Sequence, residues 1–156
     1  MTDYPAPVVL ANLRRNAQKA IPGHLEAKYR IGAHEWGDMT TTFAIENAHH
    51  FSRIIAADCY WMPDQHENLA QSMLHFLTLE SGGRIFMTSG FHTGRAKLAA
   101  FFDVAVEEGL EAEEVYEEDA EGTRRDWMKE RDGGREDHTE RKKWLVIARL
   151  KRRGGI

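Results

Sequence analysis

Residues 51–68 read FSRIIAADCYWMPDQHEN, and the rest of the chain takes its meaning from them. An apolar run of Ile54, Ile55, Ala56 and Ala57 ends on a carboxylate, Asp58. Cys59, Tyr60 and Trp61 follow, and Pro63 opens a new helical pattern. A short continuous apolar run is what a buried parallel strand presents. In open α/β sheets, ligands bind beyond the carboxyl ends of such strands, where backbone groups are unpaired and loops converge. A carboxylate flanked by aromatics there suits a cationic or electron-poor ligand. The plain alternative is that Asp58 caps the following helical region while Tyr60 and Trp61 pack beneath it. The residues alone leave both readings open.

Downstream, Leu69, Met73, Phe76 and Leu77 fall at i, i+4, i+7 and i+8, one face of a helix over about 65–79 that Gly82-Gly83 closes. Residues 84–89 are the next buried strand. Gly90 to Gly94 turns, with Thr93 as the expected cap, into a third helix whose Leu98, Phe101, Phe102, Ala105 and Val106 line one face, ended by Gly109. Residues 110–119 alternate as a strand with one exposed, glutamate-rich side. Residues 121–140, charged and carrying Gly133-Gly134, read as a solvated hairpin loop, and WLVIARL at 144–150 as the last strand.

Upstream, MTDYPAP reads as the turn between a strand and a helix, with the strand itself missing. Val9, Leu13, Ala17 and Ala20 then keep helical spacing up to Pro22-Gly23. Residues 28–34 are a short strand leading into Glu35-Trp36-Gly37, and 38–50 a loop with one helical turn. Alternating strands and helices with two final strands unseparated by a helix predict an α/β fold. Its sheet is parallel, with helices on both faces and an antiparallel hairpin at one edge.

The 156 residues suffice for one domain with a sizeable core. A net charge of -4 argues against a broadly basic nucleic-acid binder, and the basic residues near the C-terminus suit a solvated strand edge. One cysteine excludes an intrachain disulfide and points to a reducing, cytosolic setting. No apolar run is long enough to span a bilayer, and no signal or transit composition opens the chain.

Competing motifs fail on spacing. GFHTGR at 90–95 follows a strand and opens a helix, but Arg95 is not followed by Ser or Thr, so it is not a phosphate loop. Eight histidines show no HxxxH or HExxH spacing, so no metal site is expected. Cys59 lacks a paired base and reads as a small buried residue. The acidic residues of 107–121 form a solvated face, or help attract a basic protein.

A doubly wound sheet ending in an antiparallel hairpin is the plan of class I methyltransferases, and the motifs narrow it. TDYPAPVVLANLRRN (2–16), HEWG (34–37), RIIAADCYWMPDQHENL (53–69), GFHTGR (90–95) and RKKWLVIARLKR (141–152) resemble the C-terminal two thirds of the seven-strand lysine methyltransferase family. The match is to its fungal branch, labelled nicotinamide N-methyltransferase and understood to methylate the N-terminal region of elongation factor 1-alpha. The resemblance implies a truncated, Rossmann-like domain over 1–156, lacking the family's first strand and glycine-rich loop. It implies S-adenosyl-L-methionine as cofactor, with Asp3 on the ribose hydroxyls, Trp36 against adenine and Ala57 beside the sulfonium. It sets Asp58 and Trp61 toward an amine of a protein substrate. Trp61 stands where relatives carry tyrosine, giving an N–H donor in place of a hydroxyl. Without the resemblance, Trp36 reads as a core tryptophan. Two other functions stay open: a non-catalytic α/β interaction module, and methylation of nicotinamide itself.

Overall fold

The computed structural model describes residues 1–154. In chain order it forms β1 (Thr2–Asp3), α1 (Pro7–Ala20), β2 (Gly32–Ala33), α2 (Thr42–Glu46), β3 (Arg53–Ala57), α3 (His66–Phe76), β4 (Arg84–Gly90), α4 (Arg95–Glu108), β5 (Leu110–Asp119), β6 (Arg124–Asp126), α5 (His138–Arg141) and β7 (Trp144–Arg152). Five strands make one sheet in the order β3-β4-β7-β5-β6, and β1 and β2 pair in a separate parallel sheet. β3 runs parallel to β4, whereas β7 enters antiparallel between β4 and β5. The α/β sheet with an antiparallel ending is as the element order predicts, but among the described residues it is parallel only at β3–β4, β7 lies between β4 and β5 rather than at an edge, and α3 and α4 cover one face rather than both.

Alternation along the strands decides where the core sits. Ile85 and Met87 of β4 stand beside Leu150 and Ala148 of β7, and all four are buried. Onto this face pack Leu69, Ala70 and Met73 of α3 and Leu98, Phe101, Phe102 and Ala105 of α4. Burying each of the leucine, methionine and phenylalanine side chains contributes roughly 1.5–3 kcal/mol. The intervening positions Ile55, Phe86 and Leu145 point the other way and stay exposed, Ile55 at 79%. β3 is the edge of its sheet.

Local chemistry ends the helices. Gly109 closes α4 at φ 104, a left-handed value glycine accepts freely, and its N–H donates to the carbonyls of Ala105 and Val106. Arg152 reaches from β7 to the end of α3, donating to the carbonyls of Leu77 (2.8 Å), Thr78 (3.2 Å) and Leu74. Those carbonyls lack intrahelical partners, so the guanidinium serves as a distant C-cap.

Four expectations need correction. Thr2–Asp3 is a strand after all, because β2 offers it a parallel partner, Thr2 opposite Gly32 and Asp3 opposite Ala33. The strand expected over 28–34 shrinks to Gly32–Ala33, since Gly23–Lys28 winds as a 3-10 helix. Thr93 does not cap α4: Gly94 holds that position, and the Thr93 hydroxyl donates instead to the Trp61 carbonyl at 3.1 Å. Residues 121–140 are mostly exposed and begin with the expected hairpin, but they are not all loop. They hold β6, a 3-10 turn at Asp132–Gly134 and α5, and they deliver Glu136 to the interior beside Arg95. The charges there have partners distant in sequence, which local patterning does not reveal.

The basic residues of β7 face the glutamates of β5: Arg149 lies 3.3 Å from Glu113 and 3.5 Å from Glu114, and Lys151 3.5 Å from Glu111. Among the described residues, no helix is long and apolar enough to cross a membrane.

Candidate functional site

The carboxyl ends of β3 and β4 lie side by side because Ala57 is in register with Thr88. The next residue on each strand therefore meets the other: the Ser89 hydroxyl donates to Asp58 Oδ1 at 2.8 Å. Asp58 leaves its strand at φ 54, a left-handed conformation uncommon outside glycine. Such positions cost on the order of 1–3 kcal/mol and cluster where function demands them. Its N–H donates to the Thr88 carbonyl at 2.7 Å, and this bond holds the turn. The second oxygen, Oδ2, lies 3.6 Å from His92 Nε2, and both side chains are more than half exposed. One oxygen is thus fixed by a buried hydroxyl and the other is presented outward.

Tyr60 and Trp61 part company. Tyr60 is fully buried, donates its hydroxyl to the Val146 carbonyl at 3.3 Å and packs on Phe101, a structural role. Trp61 is 38% exposed, and its carbonyl is tied to Thr93. Loops 58–62 and 91–94 are thereby joined around Asp58. Asp58 does not cap the following helix, whereas Tyr60 does pack into the core, so only the capping half of that plain alternative falls away.

Asp3 ends β1, and Trp36 follows the end of β2 by three residues. Tyr4 N–H donates to Asp3 Oδ1 at 2.8 Å; among the described residues no donor reaches Oδ2. Trp36 is half-buried and packs against the main core. It is placed by its neighbours. Buried His34 Nε2 lies 3.0 Å from Ser72 Oγ on α3, and Gly37 N–H donates to that same oxygen at 2.9 Å. Gly37 sits at φ 85, and a Cβ there would come within 2.6 Å of Asn68 Oδ1, so only glycine lets the chain pass.

Cys59 reports on how these groups are arranged. Burial pushes its thiol up to about 11, with further upward contributions from the charges of Asp58 and then Asp3. The Cys59 thiol donates to the Ala57 carbonyl at 3.2 Å, and Ala57 itself is exposed. No group of three or more potential metal ligands occurs among the described residues. A cleft of about 330 Å³ lies elsewhere, at the amino end of β4, lined by Leu79, Arg84 and Arg152.

Sequence reasoning missed Ser89 and His92. The signal for Ser89 was its place at the end of a buried strand parallel to the one bearing Asp58. For His92 it was the GFHTGR turn, read as a capped turn and a family motif and weighed as a phosphate loop, but not for its histidine.

The chain is 28% identical over 132 residues to the protein N-terminal and lysine N-methyltransferase EFM7 of Candida glabrata, covering 78% of this chain and 51% of that protein. It is 26% identical over 125 residues to the protein of the same description from Aspergillus fumigatus, covering 75% and 48%. The chain spans about half the length of the curated relatives it matches. No family model matches. A solved structure of a candidate methyltransferase from Thermoplasma acidophilum superposes at TM-score 0.52 over 98% of this chain and 56% of that one, with 11% identity, a likeness of fold alone. By sequence this chain is similar to fungal protein N-terminal and lysine N-methyltransferases, and its mixed sheet is of the Rossmann-like methyltransferase kind.

Proposed function

We propose that this chain carries part of an S-adenosyl-L-methionine-dependent N-methyltransferase that modifies an amine of a protein. The observation that carries the reading is the Asp58 carboxylate: strained into an exposed position at the end of β3, oriented by Ser89 and flanked by Trp61. The residues present fit the cofactor in part. Asp3 has an acceptor oxygen to spare, as a ribose diol needs. Trp36 offers an indole for adenine, and exposed Ala57 leaves room beside the sulfonium. When bound, that cofactor supplies the activated methyl group.

What remains for the protein is alignment and solvation. The Asp58 oxygens accept hydrogen bonds from a cationic amine and hold it beside Ala57. The Trp61 indole gives that cation an aromatic neighbour and keeps water from one side. The openness of Asp58 and Trp61 supports a protein acceptor over nicotinamide, which calls for an enclosed pocket. The resemblance to the fungal branch supports elongation factor 1-alpha as that protein, and the single cysteine supports a cytosolic setting.

The rival is a non-catalytic module, favoured by one observation: among the described residues β1, which bears Asp3, pairs only with β2 and is not a strand of the main sheet. Calorimetric titration with S-adenosylhomocysteine tests both. Saturable binding, lost in Asp3→Ala, is expected. No heat above dilution, with the chain folded, rejects the cofactor site and leaves the module reading.

A further inference from the structure

Asp58 Oδ2 and His92 Nε2 are two exposed acceptors 3.6 Å apart, too far for a hydrogen bond between them. We propose that they form a bridging seat for an ammonium group, and that His92 accepts the proton the amine must lose before it is methylated. The proposal rests on the amine-methylation reading and adds the residue that takes the proton.

The seat is built. Ser89, 2% exposed, holds Oδ1 and so turns Oδ2 outward. The His92 ring lies against bare backbone at the strand's end: a Cβ on Gly90 would stand 2.9 Å from Nε2, so glycine is what admits the ring. Thr93, next along, is anchored to the Trp61 carbonyl. His92 is therefore held between a glycine floor and a tethered neighbour, with its ring two-thirds exposed to an incoming chain. An ammonium nitrogen within hydrogen-bond distance of both acceptors satisfies two of its three donors, the third pointing away.

An ammonium has no lone pair and cannot attack a methyl group. In the proposed step one N–H bond breaks, its electron pair stays on the amine nitrogen, and the proton binds the lone pair of His92 Nε2. The positive charge passes from amine to imidazole, where Asp58 faces it, and the proton then leaves to water. A carboxylate alone is too weak a base for this, whereas imidazole suits neutral conditions.

Two measurements test the proposal. The first needs no activity: triglycine amide and its N-acetylated form are titrated into the protein while the ring resonances of His92 are followed by NMR, assigned by their absence in His92→Gln. Only the free amine should move them, and Asp58→Asn should abolish the effect. Equal movement by the acetylated peptide overturns the seat. The second compares methyl transfer to the free-amine peptide. His92→Gln should lower kcat about a hundredfold at unchanged KM for S-adenosyl-L-methionine, and added imidazole should restore at least part of the rate of His92→Ala. Gly90→Ala, which keeps the imidazole but displaces it, should lower kcat about tenfold. Wild-type transfer with His92→Gln undiminished overturns His92 alone; no transfer by the wild type overturns the methylation reading as well.

Discussion

Arg95 and Glu117 meet in the interior as a bidentate pair, Nη1 2.6 Å from Oε1 and Nη2 3.1 Å from Oε2, with the carboxylate fully buried. Arg95 also donates to Glu136 at 2.6 and 2.8 Å, while Arg125 and Arg131 reach Glu117 from the other side. Burial alone would push the Glu117 carboxyl up, but hydrogen bonds from Arg95 and Arg125 outweigh it and hold the group below its ordinary value. The cluster pins 125–136 to the start of α4 and hence to the GFHTGR turn.

Glu117→Ala leaves three guanidinium groups without their shared partner and should lower unfolding free energy by about 3–5 kcal/mol. Arg95→Met should cost less, because Arg125 and Arg131 still neutralise Glu117. Urea denaturation midpoints measure both, and equal losses would show that Glu117 answers to Arg95 alone.

Stability should fall in two stages on acidification. Burial holds His34 and His66 below their ordinary 6.5, with Asp38 partly opposing this at His34 and the Tyr60 carbonyl at His66. The unfolded chain then takes up protons more readily than the folded one. The contribution is complete above pH 6.5 and lost as pH falls below it. Glu117 and Glu136, held below 4.5 by arginines despite burial, add a second loss beneath that value. Chemical denaturation across pH should show both declines, and His66→Gln should shrink the first.

Cys59 should resist alkylation. With its thiol pushed up from 9.0 to about 11, the thiolate population near neutral pH falls about a hundredfold. Iodoacetamide labelling followed by mass spectrometry should be slow in the folded chain and fast in urea; rapid labelling of the native protein would contradict this environment.

Trp36→Ala should weaken S-adenosylhomocysteine about tenfold without unfolding the domain, since the indole is only half-buried. Equal affinity in mutant and wild type removes Trp36 from the adenine site.

Asp58→Asn should cut methyl transfer about a hundredfold while leaving cofactor binding within twofold. Unchanged turnover ends its proposed role.

Much of this fold was legible because its signals are local. The spacing of Leu69, Met73 and Phe76 gave α3, and the apolar run into Asp58 gave β3 and its presented carboxylate. What escaped depends on contacts between distant residues. The partnership of Ser89 with Asp58 follows from the β3–β4 register, which no single strand encodes. Glu136 read as solvated because its arginine lies 41 residues away. Thr93 looked like a cap by position, yet the Trp61 carbonyl took its hydroxyl. Thr2 and Asp3 were too few to register as a strand until Gly32 and Ala33 lay beside them.

The facing charges of β5 and β7 bear on how a partner finds this surface. Glu111, Glu113 and Glu114 discharge their fields into Arg149, Lys151 and Arg84 a few ångströms away, so little potential extends a Debye length outward. Long-range steering of a basic chain toward this strand pair should be feeble. Association there should vary little with ionic strength, and an acidic-looking primary structure is a poor guide to what the folded surface attracts.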